Sequence, residues 1–299
     1  MPDNDELNPI EDHANPRRRR RPEEPPEVGT IVEPEPRHDL RNLVLHADAK
    51  ADIEAALRSV EMRDRMESVW RLSEIQPLAN RCVINFYGPP GTGKTRAALG
   101  IARRVGRLLY QVDYSQIVSK YLGDTAKHIA LAFRQAREAG AVLFFDEADS
   151  LLSRRVPAGE SCSTSINQNR NTLMQELDRF DGVVVMTTNL FGNYDEAMLR
   201  RIARHVRFAL PDRAMRERLL RGHLPNADRT PADLRRASVE SRGLSGGDIL
   251  NACVNAMHAA SADPNPDRWR VTEAMLLAEI SKIKVAKATH EGGSDDEAR

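Results

Sequence analysis

Residues 82–95 read Cys-Val-Ile-Asn-Phe-Tyr-Gly-Pro-Pro-Gly-Thr-Gly-Lys-Thr. The run 82–87 is strand-favouring and ends at Gly88. Gly88, Pro89, Pro90, Gly91, Thr92 and Gly93 then hold too much glycine and proline for a helix or a strand, and a helix-favouring stretch opens near Lys94 and Thr95. Strand, glycine turn and helix in this order suit one ligand chemistry. The glycines let backbone N–H groups point inward around phosphate oxygens, and the helix N-terminus adds its partial positive charge. Lys94 reaches the β and γ phosphates of a nucleoside triphosphate, and Thr95 offers a hydroxyl to Mg²⁺.

Downstream the pattern alternates. Further strand candidates at 108–112, 141–145, 183–187 and 205–210 are separated by helical stretches such as 124–139 and 165–180. Two helix-like stretches, 48–60 and a second through Trp70, come before the first of these strands. The alternation predicts an α/β fold, a parallel sheet covered by helices on both faces. Leu173, Leu177 and Phe180 recur at helical spacing and mark a core face. Beyond Pro211 and Asp212, 213–283 reads as helices only, broken by Pro225, Pro231, Gly243, Gly246, Gly247 and Pro264. The expected organisation is a large domain at 39–211 and a small all-helical domain at 212–287. Residues 1–38 are rich in Pro, Glu, Asp and Arg, 288–299 are polar, and both are expected to be disordered.

The apolar run 141–145 ends in Asp146 and Glu147, where the carboxyl end of a parallel strand meets its ligand. Asp146 would hold Mg²⁺ through water, and Glu147 is the candidate base that orients and activates an attacking water. The plainer reading is an acidic helix start. Residues 146–149 spell Asp-Glu-Ala-Asp, the four letters that name a group of RNA helicases. Those carry a second sheet-based motor domain, and the remainder after Leu210 is patterned as helices. Asn189 ends the run 183–187 with a polar amide beside the nucleotide, or simply turns the chain.

Five motifs together carry a family resemblance: GPPGTGKT at 88–95, FFDEADSLL at 144–152, VVMTTN at 184–189, LRRIARHVRFALPD at 199–212 and GLSGGDI at 243–249. With these, the chain resembles the AAA family over 40–284. The resemblance implies a P-loop NTPase sheet sandwiched by helices and followed by a small helical lid, with ATP and Mg²⁺ bound and ATP hydrolysed. Asn189 would be the polar sensor of γ-phosphate and water. Arg200, Arg201 and Arg204 match the segment that supplies arginine fingers to a neighbouring subunit, with Arg200 and Arg201 preferred; the plain alternative is a salt-bridged surface. Gly246 and Gly247 lie in the stretch with which the lid covers the nucleotide, and no arginine stands at the usual second-sensor position, which is Gly247. Val44 and Leu45 would line the other side of the base. Lys120, Tyr121 and Leu122 match a central-pore loop that grips polypeptide, unless Tyr121 is an ordinary buried tyrosine; 154–165 would be a second pore loop or a flexible connection.

The resemblance thus implies a homo-hexamer that remodels, unfolds or disassembles protein substrates through its pore, with or without an adaptor. The rival readings are a nucleic-acid motor or loader and an ATP-gated scaffold that translocates nothing. Forty-four basic and forty-four acidic residues leave no net charge, so nothing global draws the chain to nucleic acid or an anionic membrane. The five arginines at 17–21 are followed by Glu23, Glu24 and Glu27 and read as a solvated, neutralised charge block or as a docking or RNA-touching arm. Cys82, Cys162 and Cys253 are far apart, with no metal-ligand spacing, and no run approaches the ~20 apolar residues of a membrane span. A cytoplasmic location is expected.

Overall fold

The computed structural model describes residues 28–71, 74, 82–113, 117, 124–149, 163–189, 194, 196–231 and 233–293. The strands are β1 (Thr30–Val32), β2 (Cys82–Tyr87), β3 (Leu109–Asp113), β4 (Val142–Asp146), β5 (Val183–Thr188) and β6 (Arg204–Arg207). In the large domain the helices are α1 (Ala47–Glu61), α2 (Arg63–Trp70), α3 (Lys94–Arg104), α4 (Asp124–Glu138), α5 (Ser163–Arg179) and α6 (Glu196–Leu199). The helical region that follows holds α7 (Arg213–His223), α8 (Arg235–Glu240), α9 (Gly246–Ala260) and α10 (Glu273–Gly293).

The strands form a single sheet in the order β1-β3-β4-β5-β2-β6, parallel except for β1. β2, β4 and β5 are buried almost end to end and mostly apolar because helices cover both of their faces. Along β2, Val83 joins the core under α4 and α5, while Cys82, Ile84 and Phe86 join the core under α1 and α3. On α4, Ile129, Ala132, Phe133 and Ala136 are buried at helical spacing. Phe133 meets the Phe180 ring edge-on with centroids 5.4 Å apart, and Leu173, Leu177 and Phe180 pack into the same cluster.

Three boundaries differ from the sequence reading. Within the stretch expected to be disordered, residues 28–38 hold β1 and a 3-10 turn at Pro36–His38. β1 pairs antiparallel with the exposed edge of β3, Ile31 opposite Tyr110, and such pairing gives order without an apolar core of its own. At the other end α10 continues to Gly293, past the expected fraying at 288. β6 spans four residues, and the Phe208 N–H makes one more bond to β2, at the Tyr87 carbonyl, before the chain enters the helical region.

That region begins with a capped helix: the Asp212 carboxylate accepts the Met215 N–H at 2.8 Å. Arg216 is buried, and its guanidinium donates to the carbonyls of Ser238 and Pro211, both at 2.8 Å. Leu220, Leu234, Ile249, Cys253, Leu276 and Ile280 make a separate core. Cys82 and Cys253 are free, buried thiols; burial pushes the first up to about 11 and the second to about 12.

Candidate functional site

Tyr87 brings β2 to the carboxyl edge of the sheet, where β5 lies on one side and β6 on the other. The chain reverses there into α3. Gly88 has φ +140°, and a Cβ there would stand 2.1 Å from the Phe208 carbonyl oxygen, so the turn can pass the end of β6 only without a side chain. Gly91 and Gly93 also have positive φ, +73° and +100°. The turn puts Lys94 at the start of α3, its side chain largely buried. The Lys94 ammonium donates to the carbonyls of Gly88 and Pro89 at 2.6 and 3.1 Å and to Asn189 Oδ1 at 2.7 Å. Burial lowers its pKa, opposed by the charges of Asp146, Asp149 and Glu147.

The carboxylates arrive from the end of β4. Asp146 Oδ2 accepts from the Thr95 hydroxyl at 3.4 Å, and Asp146 Oδ1 accepts from the Thr187 hydroxyl at 2.5 Å. The Glu147 N–H donates to the Thr187 hydroxyl oxygen at 3.1 Å, and Glu147 takes φ +53°, the left-handed region that side chains disfavour. A hydroxyl and a carboxylate are hard oxygen donors, and Mg²⁺ is commonly held by one or two such groups plus water and phosphate. The Thr95–Asp146 pair therefore fits that ion.

The helical region closes the other side. Ser245 and Asp248 cap α9 reciprocally, each side chain accepting the other's backbone N–H. The Gly247 N–H at the start of α9 then donates to the Gly91 carbonyl at 2.9 Å. A Cβ on Gly91 would stand 2.5 Å from Ser245 Oγ. Between the two regions lies a cavity of about 880 Å³, wide enough for a nucleotide. Its walls include Val44, Leu45, Pro90, Gly91, Thr92, Gly93, Lys94, Thr95, Asp146, Glu147, Asn189, Gly246 and Gly247. Gly88 and Pro89 stand just behind, through their carbonyls on Lys94.

Arg200 and Arg201 do not line this cavity. Arg200 is exposed. The Arg201 guanidinium makes two hydrogen bonds to the Asp178 carboxylate at 2.9 and 2.8 Å and a third to the Ala197 carbonyl at 2.9 Å. Lys120, Tyr121 and Leu122 lie outside the described residues, as do most of 154–165 and all of 17–21. Sequence reasoning missed Thr187, Met215, Leu219 and His223 on the cavity wall. Burial, then the nearby Arg96, lowers the His223 pKa. The apolar positions of α7 were a readable signal that one helix face is covered, without naming what covers it.

A parallel sheet, a glycine turn running into a helix, a lysine and two carboxylates at the strand ends and a helical cover define a P-loop nucleotide-binding protein. The family model described as "ATPase family associated with various cellular activities (AAA)" matches residues 84–210, which form an AAA domain. The chain is 33% identical over 241 residues to the "Cell division cycle protein 48 homolog" of Archaeoglobus fulgidus, covering 76% of this chain and 32% of that one. It is 32% identical over 210 residues both to the "26S proteasome subunit RPT4" of Saccharomyces cerevisiae and to the "Proteasome-activating nucleotidase" of Saccharolobus solfataricus. Those matches cover 68% of this chain, 47% of the yeast protein and 53% of the archaeal one. The chain thus spans about a third to about a half of these relatives' lengths. Among the described residues no helix is long and apolar enough to cross a membrane.

Proposed function

We propose that the chain hydrolyses ATP with Mg²⁺ as a cytoplasmic homo-hexamer and uses the cycle to remodel, unfold or disassemble protein substrates. One observation carries the reading: Lys94, Thr95, Asp146, Glu147 and Asn189 share a single cavity wall, with Gly246 and Gly247 of the helical region opposite. The AAA domain supports the hydrolysis. Two relatives bear the proteasome in their names, which favours polypeptide as substrate.

Each residue has a task that its position supports. Lys94 exchanges its carbonyl and amide partners for phosphate oxygens and neutralises them. Thr95 and Asp146 would hold Mg²⁺, which would supply positive charge to the transferring phosphoryl group. Glu147 orients the attacking water and accepts its proton, and Asn189 contacts that water and the γ-phosphate. Closure of the lid strengthens each of these interactions by excluding bulk water. A neighbouring subunit supplies the remaining cation from Arg200, Arg201 or Arg204. Arg200 is the simplest donor, because Arg201 must first leave Asp178. Tyr121, flanked by Lys120 and Leu122, grips the polypeptide in the pore.

The test compares wild type, Glu147→Gln and Tyr121→Ala by size in ATP, by ATP turnover and by what the ATP-loaded ring retains. The reading expects Glu147→Gln to form a silent hexamer that retains protein, and Tyr121→Ala to hydrolyse ATP without processing protein. A ring that retains nucleic acid instead points to a nucleic-acid motor. Unimpaired protein processing by Tyr121→Ala points to a scaffold that works by binding state alone.

A further inference from the structure

Asn85 stands in the middle of β2, with no exposed surface, among apolar neighbours. Strand register sets it beside Met186 on β5 and His205 on β6, and Thr188, two residues past Met186, faces the same side of the sheet. Among the described residues Asn85 Oδ1 has no hydrogen-bond partner. An apolar residue would avoid that penalty, so the amide calls for an explanation beyond packing.

Its amide nitrogen donates to the Tyr194 hydroxyl at 2.8 Å. The His205 ring stacks on the Tyr194 ring with centroids 6.0 Å apart, and its Nδ1 lies 3.5 Å from the same amide nitrogen. The Tyr194 hydroxyl also hydrogen-bonds Thr188. Thr188 in turn donates to the Asp149 carboxylate, and Asp149 accepts the Asn189 N–H at 3.1 Å. The polarity of this chain is forced. A carboxylate only accepts, so the single Thr188 proton is committed to Asp149. Tyr194 must therefore donate its own proton to Thr188, and its lone pair receives the Asn85 amide. The last acceptor in the series holds the backbone of Asn189, whose side chain faces Lys94.

We infer that Tyr194 is a positioning residue for ATP hydrolysis, its hydroxyl holding Thr188 and Asp149 in the arrangement that fixes Asn189 beside the phosphate-binding lysine. Asn85 directs the Tyr194 proton toward Thr188 by occupying the lone pair on the other side. The inference rests on the proposed ATPase reading and adds to it a part of the site that touches no substrate. Its signature is a loss of turnover at unchanged substrate affinity, since Tyr194 acts on Asn189 and lines no part of the cavity.

Steady-state ATP turnover by the full chain tests this with wild type, Tyr194→Phe, Asn189→Ala and the double variant. Tyr194→Phe is expected to lower kcat about tenfold and to leave KM within about twofold. The double variant should be within about twofold of Asn189→Ala alone, because both changes disable one unit. A purely architectural tyrosine would give losses that multiply, and that result overturns the inference, as does wild-type kcat in Tyr194→Phe. Thr188→Val cuts the same series one link later and must reproduce the kcat loss should Tyr194→Phe not fold; wild-type kcat there is equally fatal. A wild-type chain without ATP turnover sinks the ATPase reading itself, whereas normal wild-type turnover with an unaffected Tyr194→Phe sinks only this inference.

Discussion

Glu147 holds φ +53°, a conformation that costs a non-glycine residue about 1 kcal/mol or more. Its N–H is held by the Thr187 hydroxyl and by Asp146 Oδ1, so the surroundings impose the strain. Replacing Glu147 by Gly or by Ala removes the same carboxylate, yet only glycine relieves the backbone. Chemical denaturation should find Glu147→Gly about 1 kcal/mol more stable than Glu147→Ala, and equal stability would mean the residue is not strained. Gly91 is the converse. With φ +73° and Ser245 Oγ 2.5 Å from any Cβ, Gly91→Ala should push the start of α9 off the turn. Titration with a fluorescent ATP analogue is expected to show binding weakened roughly tenfold or more. Asp146, Glu147 and Lys94 were legible because their neighbours in sequence announce a strand end and a helix start. Asn85, Tyr194 and Thr187 were not, since each reads locally as one more strand or loop residue. Only the tertiary fold sets Thr187 against Asp146 and Tyr194 against Asn85.

The start of α9 shows how an element's own stability serves the site. Burial alone would raise the Asp248 pKa, but hydrogen bonds from Lys287 and from Ser245 outweigh it and hold the carboxyl below the usual range. The folded pKa is the depressed one, so the stabilisation is present above the unfolded value and is lost as pH falls through the folded one. At neutral pH, Asp248→Asn should cost about 1 kcal/mol in urea denaturation. The difference between wild type and variant should shrink below about pH 4, near the unfolded carboxylate value. A pH-independent difference would show that packing, not charge, sets the loss. The parallel order of the strands and their helical cover followed from continuous apolar runs alternating with helical spacing. β1 was not legible in that way. Three residues with exposed or half-exposed side chains show no apolar alternation, and only the edge of β3 makes them a strand.

At the scale of the whole molecule, the two regions are joined at the cavity by the Gly247 contact on Gly91, and by Arg216 behind it. This arrangement lets the lid sense the phosphate turn directly. The N-terminal stretch has to be cut with care, because β1 and the turn through Arg37 belong to the folded domain and Arg37 lines the cavity. Deleting residues 1–27 should therefore keep basal ATP turnover within about twofold while weakening substrate capture. Capture equal to that of the full chain would remove the docking role proposed for the arm. The Arg201–Asp178 pair joins the far end of α5 to the segment beyond α6, so a finger role for Arg201 requires an exchange of partners between subunits. The central claim is that Lys94, Thr95, Asp146 and Glu147 form one ATP-hydrolysing site. It is tested most directly by measuring Mg²⁺-ATP binding and phosphate release side by side for wild type and Glu147→Gln. The account predicts ATP binding within a few-fold in both and turnover at least roughly 100-fold slower in the variant; turnover that survives Glu147→Gln, or a wild type that binds no ATP, would contradict it.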